Sequence, residues 1–148
     1  MAVARFDELP GWAQELIQGA PVARLGLLDS RDRPRVLPVT FAVVDGEIWT
    51  AVDHKPKRSP GSELARVRWL RRRGEAALTV DRYDDDWSRL AWVQLLGEVE
   101  IVDEPERAPG ALAALAGKYG HYRERAPEGP FLGLAPERFV HWRAAPEE

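Results

Sequence analysis

The dipeptide Asp45-Gly46 constrains the fold of this chain more than any other feature of its sequence. It stands between two β-rich runs, "RVLPVTFAVV" and "EIWTAVD". Such a pair is the strongest short-range signal for a β-hairpin, because both central residues of the turn need a positive φ. The earlier run "PVARLGLLDS" also has strand character and ends in turn residues. The sequence therefore predicts a meander of three antiparallel strands, with Pro38 at an edge or a bulge where its missing N–H is tolerated.

The remainder of the chain adds further strands and three helices. Helical spacing marks "DELPGWAQELIQG", "PGSELARVRWLRRRG" and "EPERAPGALAALAGKYGHY". Strand patterns mark "EAALTVDRY", "RLAWVQLLGEVEIVD" with a bulge or bend at Gly97, and "ERFVHWRA", while residues 123–133 read as irregular. With no repeat and no linker, residues 1–148 are predicted to form one domain. Its predicted class is mainly β (α+β), a six-stranded antiparallel barrel with peripheral helices.

Composition excludes several classes of protein. The chain has 148 residues and no cysteine, so disulfides, thiolate nucleophiles and zinc–cysteine sites are excluded. A net charge of −3 argues against a general nucleic-acid binder, which needs a basic excess. No apolar run approaches the roughly 20 residues of a membrane span, and the N-terminus lacks the pattern of a secretory signal. We therefore expect a cytoplasmic protein that binds neither nucleic acid nor membrane.

One loop nevertheless concentrates positive charge. Two of the three lysines lie in the stretch "TAVDHKPKRSPGS". Its cationic residues are His54, Lys55, Lys57 and Arg58. Ser59 and Pro60 then have the character of an N-cap and a first helical residue, which would direct free N–H groups at the same space. The loop is thus a candidate site for a phosphate, the alternative being a strand-to-helix connection that is merely solvated by its charges.

Other candidate sites are weaker. The run Asp84–Asp86 lacks the ligand spacing of a calcium loop, so we expect a polar turn. His121 and His141 are not in metal-ligand spacing, and no metal site is predicted. No nucleophile elbow, glycine-rich phosphate loop or acid–base dyad is found, so no catalytic residue is predicted. The segment from Tyr119 to Tyr122, flanked by glycines, is a candidate lid.

The order of these elements resembles that of a known family. Paired strands, a strand end with threonine, a basic loop, a helix and a strand pair with aromatic residues resemble the flavin split-barrel proteins, the pyridoxamine 5′-phosphate oxidase-like fold. The resemblance covers about residues 21–103. The segments "RLGLLDSRDRPRVLPVTFAVVDGEIWTAVDHKPKR" and "VDRYDDDWSRLAWVQLLGEVEIV" are similar to the branch that uses the deazaflavin coenzyme F420. The resemblance implies a six-stranded split barrel of the FMN-binding type that works as a homodimer, with cofactor grooves at the interface.

The resemblance also implies which residues bind the cofactor. The strand "LPVTF" would border the ring system, the strand "WTAV" would lie near the ring and its ribityl chain, and the basic loop would hold the phosphate. His54 would contact the phosphate or the ring, and Trp92 would lie near the ring edge. The implied cofactor-binding residues are Pro38, Val39, Thr40, Thr50, Ala51, Val52, His54, Lys55, Lys57, Arg58 and Trp92.

The loop also bears on the choice of cofactor. The sequence "HKPKR" replaces the Ser-Arg-Lys phosphate signature of the oxidase itself, which favours F420 over FMN. The implied activity is hydride transfer between F420 and a small organic substrate, in which the protein positions the reactants and excludes water. Two alternatives remain open: a non-catalytic carrier of F420 or flavin, and an FMN-dependent oxidoreductase of the same fold.

Overall fold

The computed structural model of the chain describes residues 1–52 and 64–144. Its strands are β1 (Ala2–Val3), β2 (Ala23–Leu28), β3 (Pro34–Val39), β4 (Ala42–Val44), β5 (Glu47–Ala51), β6 (Glu75–Arg82), β7 (Ala91–Val102) and β8 (Phe131–Arg143). Its α-helices are α1 (Gly11–Gly19), α2 (Ala65–Arg72), α3 (Pro109–Lys118) and α4 (Gly120–Glu124). Short 3₁₀ turns cover Phe6–Glu8, Trp87–Arg89 and Pro105–Arg107.

The strands form one antiparallel sheet in the order β3-β2-β6-β7-β8-β5-β4, with β1 paired to β8. The main core lies on one face of this sheet, where alternate residues of β7 such as Val93 and Leu95 meet Phe139 of β8. Helix α1 adds Ala13 and Ile17 to the same core. A mainly β half-barrel with helices at its margins is consistent with the predicted split barrel.

The predicted hairpin is confirmed, because Asp45 has a φ of 50° and Gly46 a φ of 80°. They connect β4 to β5, which pair antiparallel. The three-stranded meander, however, is wrong. The run "RVLPVTFAVV" divides into β3 and β4, which lie at opposite ends of the strand order.

The division has a physical cause at Phe41. This side chain is fully buried, and the Phe41 amide donates to the hydroxyl of Tyr119 instead of to a neighbouring strand. The chain therefore leaves one edge of the sheet to bury Phe41 and re-enters at the other edge. Together with the short strand β1, this division gives eight strands in the described residues instead of the predicted six.

Other local predictions can be compared directly. Pro38 lies in the edge strand β3, as predicted, and the pairing of β7 with β8 shifts register between Leu96 and Gly97, where a bulge was predicted. The last strand begins at Phe131, well before the predicted "ERFVHWRA". Helix α2 begins at Ala65 with Leu64 as its N-cap, and the predicted N-cap, Ser59, lies outside the described residues. No described helix is long and apolar enough to cross a membrane.

Candidate functional site

A cleft of about 220 Å³ lies where β3 and β5 end. Six of the predicted cofactor residues line it. From the end of β3 and the residue after it come Pro38, Val39 and Thr40, and from the end of β5 come Thr50, Ala51 and Val52. Four strands separate β3 from β5 in the sheet order, so the curvature of the sheet brings the two strand ends together. Whether these residues bind a cofactor stays a prediction.

The remaining predicted residues lie elsewhere or outside the described part. Trp92 is on β7, between two residues of the core face, Ala91 and Val93. It pairs with Asp81 of β6 and Trp142 of β8, and it is not among the residues that line the cleft. The loop residues His54, Lys55, Lys57 and Arg58 fall within residues 53–63, outside the described ranges.

Four lining residues lie outside the predicted cofactor-binding set: Val22, Leu64, Arg66 and Tyr122, the last of which belongs to the segment predicted as a lid. Arg66 is the most informative of them, because this second residue of α2 is the one cationic residue among the described residues that line the cleft. The arginines at the other end of α2 have carboxylate partners instead, since Arg72 pairs with Asp32 at 2.9 Å.

Tyr122 forms a wall of the cleft. Its side chain is only 5% exposed, and its hydroxyl lies 2.9 Å from Oγ1 of Thr40. Tyr119 supports the same segment, because its hydroxyl accepts the Phe41 N–H at 3.1 Å and lies 2.8 Å from the carbonyl oxygen of Pro21. Burial raises the pKa of the Tyr119 phenol, which keeps it a donor. The segment predicted as a lid thus packs beside the cleft and fixes its β3 side.

A buried lysine ammonium packs on the ring of Phe41. Nζ of Lys118 lies 3.8 Å from the centroid of the Phe41 ring and has no hydrogen-bond partner within residues 1–52 and 64–144. Burial lowers the pKa of Lys118 to about 8. The contact with the ring compensates part of the desolvation, since a cation on an aromatic face contributes about 0.5–2 kcal/mol.

We expect Lys118→Met to stabilise the protein by about 1 kcal/mol at pH 7, a value reduced for the partial exposure of the side chain. Methionine fills the same space without a charge. In the wild type, the folded state loses the proton near pH 8 and the unfolded state near the usual pKa of 10.5, so wild-type stability rises between these values. Urea unfolding at pH 7 and pH 10 should show the gain shrinking at the higher pH. An equal gain at both values would contradict this account.

The acidic turn is held by hydrogen bonds between its own side chains and its backbone. Oδ1 of Asp86 accepts the Ser88 N–H at 3.1 Å, and Oδ1 of Asp84 accepts the Asp86 N–H at 2.8 Å. These bonds lower the pKa of Asp86, with that from the Ser88 side chain contributing most. In the described part of the chain, no group of three or more histidine, aspartate or glutamate residues is arranged to hold a metal ion.

Comparison with known families now identifies the fold. The sequence profile described as pyridoxamine 5′-phosphate oxidase matches residues 9–143. The chain therefore belongs to the pyridoxamine 5′-phosphate oxidase family. A search of curated proteins found no match.

Solved structures support the same fold. A conserved hypothetical protein from Mycobacterium tuberculosis is 18% identical, with a TM-score of 0.70 over 90% of this chain and 86% of that one. A heme binding protein from Mycobacterium smegmatis is 19% identical, with a TM-score of 0.70 over 95% of this chain and 57% of that one. An FAD-binding protein from Mesorhizobium loti is 16% identical, with a TM-score of 0.62 over 95% of this chain and 99% of that one. At these identities the comparison establishes the fold alone.

Proposed function

We propose that the protein is an oxidoreductase that uses coenzyme F420 to transfer a hydride to or from a small organic substrate. The observation that carries the proposal is the cleft, which six residues implied by the family resemblance line together with Arg66. Apolar walls suit an aromatic ring, and a cation suits an anionic tail or phosphate. The described residues therefore fit an anionic deazaflavin or flavin.

The size of the cleft indicates that other residues complete the site. Ligand pockets are commonly about 300–1,000 Å³, whereas the cleft measures about 220 Å³. We propose that the cationic loop at residues 53–63 and a second subunit supply the rest. The homodimer is part of the proposal because the family resemblance implies cofactor grooves at a subunit interface.

The bound deazaflavin would supply the hydride chemistry, and the protein residues would position it. Val39 and Val52, both buried, would exclude water from the ring. The hydroxyls of Thr40 and Tyr122 would offer hydrogen bonds at its edge, since a hydroxyl both donates and accepts. Arg66 would bind an anionic group together with Lys55 and Lys57.

A flavin-dependent activity is the second candidate. The similar fold of an FAD-binding protein favours it, whereas the sequence "HKPKR" in place of the oxidase signature favours F420. A carrier without catalytic activity would use the same cleft. Among the described residues that line the cleft there is no aspartate, glutamate, histidine or lysine, which agrees with both a hydride-transfer enzyme and a carrier.

Cofactor titration tests the proposal. We expect F420 to quench the tryptophan fluorescence of the purified protein saturably and to co-elute with it in gel filtration. FMN and heme are titrated in parallel, and turnover with a panel of hydride acceptors separates an enzyme from a carrier. Binding of FMN without binding of F420 would reject the F420 assignment.

A further inference from the structure

Helix α3 is apolar on two opposite faces. One face buries Ala111 and Leu115 in a second core cluster. The other lines a groove of about 560 Å³ with Pro109, Leu112, Ala113 and Ala116. These four residues recur at the spacing of one helical face. Surface helices normally present polar residues to water, so this apolar outer face is a candidate contact surface for a ligand.

The groove has a cation at one end. Arg123 lines it and donates from one guanidinium nitrogen to the carbonyl oxygens of Ala116 at 2.8 Å and Gly117 at 3.2 Å. These are carbonyls of the last turn of α3, so the guanidinium is held at the C-terminal end of the helix. Within the described ranges, Arg123 is in no ion pair with a carboxylate. Its remaining N–H groups are available to an anion.

The opposite end of the groove has the opposite charge. Glu106 lines the groove and precedes the first residue of α3. Helix α3 has ten residues, which gives a length of about 15 Å at 1.5 Å per residue. An anionic group is therefore attracted to the Arg123 end and repelled at the Glu106 end, and the space between them is apolar.

We infer that the α3 groove is a second binding site, which takes an amphipathic organic anion with a single carboxylate and an extended apolar chain. The carboxylate pairs with Arg123, and the chain lies on the stripe from Leu112 to Ala116. Tyr122 lines both this groove and the cleft, so its side chain separates the two sites. The inference does not depend on which cofactor the cleft binds.

Calorimetric titration with decanoate tests the inference on the full chain, with decylamine as a probe of equal length and opposite charge. We expect one decanoate per chain and weaker binding of decylamine. Arg123→Gln should weaken decanoate binding by tenfold or more, and Arg123→Lys should restore part of it. Ala113→Glu, at an exposed helix position, should abolish binding because it places a carboxylate in the groove.

Arg107→Gln is the control, because Arg107 is an exposed cation near the same helix that does not line the groove. Its affinity for decanoate should equal that of the wild type. Absence of decanoate binding, or equal binding by the wild type, Arg123→Gln and Ala113→Glu, would overturn the inference. If the wild type does not bind decanoate but self-associates, and Ala113→Glu abolishes the self-association, the inference is also overturned. The groove would then be a contact between copies of the chain.

Discussion

Replacing Lys55 and Lys57 together by alanine is expected to weaken F420 binding by about a hundredfold and to leave the fold intact. Each charge-assisted hydrogen bond to a phosphate contributes about 1.5 kcal/mol or more, which corresponds to about tenfold in affinity. Both lysines follow β5 closely in the sequence, and the residues at the end of β5 line the cleft. Tryptophan quenching by F420 measures the affinity, and circular dichroism verifies the fold.

The double variant Arg31→Ala with Arg107→Ala is a matched control, because it removes two positive charges at exposed positions away from the cleft. Its affinity for F420 should equal that of the wild type. Raising the ionic strength should weaken F420 binding to the wild type more than to the lysine variant, since salt screens exposed charges. If the lysine variant binds F420 as the wild type does, the loop is only a solvated connection.

The features of this fold that were predictable from sequence are local. Asp45 and Gly46 define their turn because the positive φ values of both residues restrict the choice of amino acid. The bulge at Gly97 was also predictable, because a glycine inside a long strand pattern indicates a bulge or a close approach of another backbone. Each of these signals depends on a few adjacent residues and not on the rest of the chain.

The predictions that failed depend on contacts distant in sequence. Nothing around Thr40 indicates that the strand ends there, because the break depends on the hydrogen bond from Phe41 to Tyr119, 78 residues away. The bond between Thr40 and Tyr122 spans 82 residues. Period-two patterning marks strand character but not the pairing partner, so it could not show that β3 and β4 lie at opposite ends of the sheet.

The candidate site also combines residues that were predictable from sequence with residues that were not. The family resemblance implied that the strand ends at residues 38–40 and 50–52 bind the cofactor. In the structure, both strand ends line one cleft. That Arg66 and Tyr122 line the same cleft was not predicted, because each lies on a helix whose packing against the sheet cannot be deduced from local sequence. For a site assembled from several elements, the sequence therefore predicted the residues on the strands but not the residues that the helices add.

Gly97→Ala is expected to destabilise the fold by about 3 kcal/mol, at the upper end of the usual cost of overpacking. A Cβ at this position would lie 2.0 Å from the carbonyl oxygen of Ala135. The neighbour is backbone of β8 and cannot rotate away as a side chain would. Gly97 pairs with Pro136 and Leu96 with Arg138, so Glu137 of β8 is the extra residue of a bulge at this point. Relief of the clash must therefore disturb the two longest strands, at the centre of the sheet.

Gly117→Ala provides the matched control, because no atom lies within 4 Å of its Cβ position and the residue is in α3. Alanine should stabilise that helix by about 0.5–1 kcal/mol, since glycine loses more backbone entropy on folding. Urea unfolding followed by tryptophan fluorescence gives both free energies of unfolding. Opposite signs for the two substitutions are expected. A Gly97→Ala protein as stable as the wild type would mean that β7 and β8 can separate there at no cost, and that the close approach at the bulge does not hold the register of these strands.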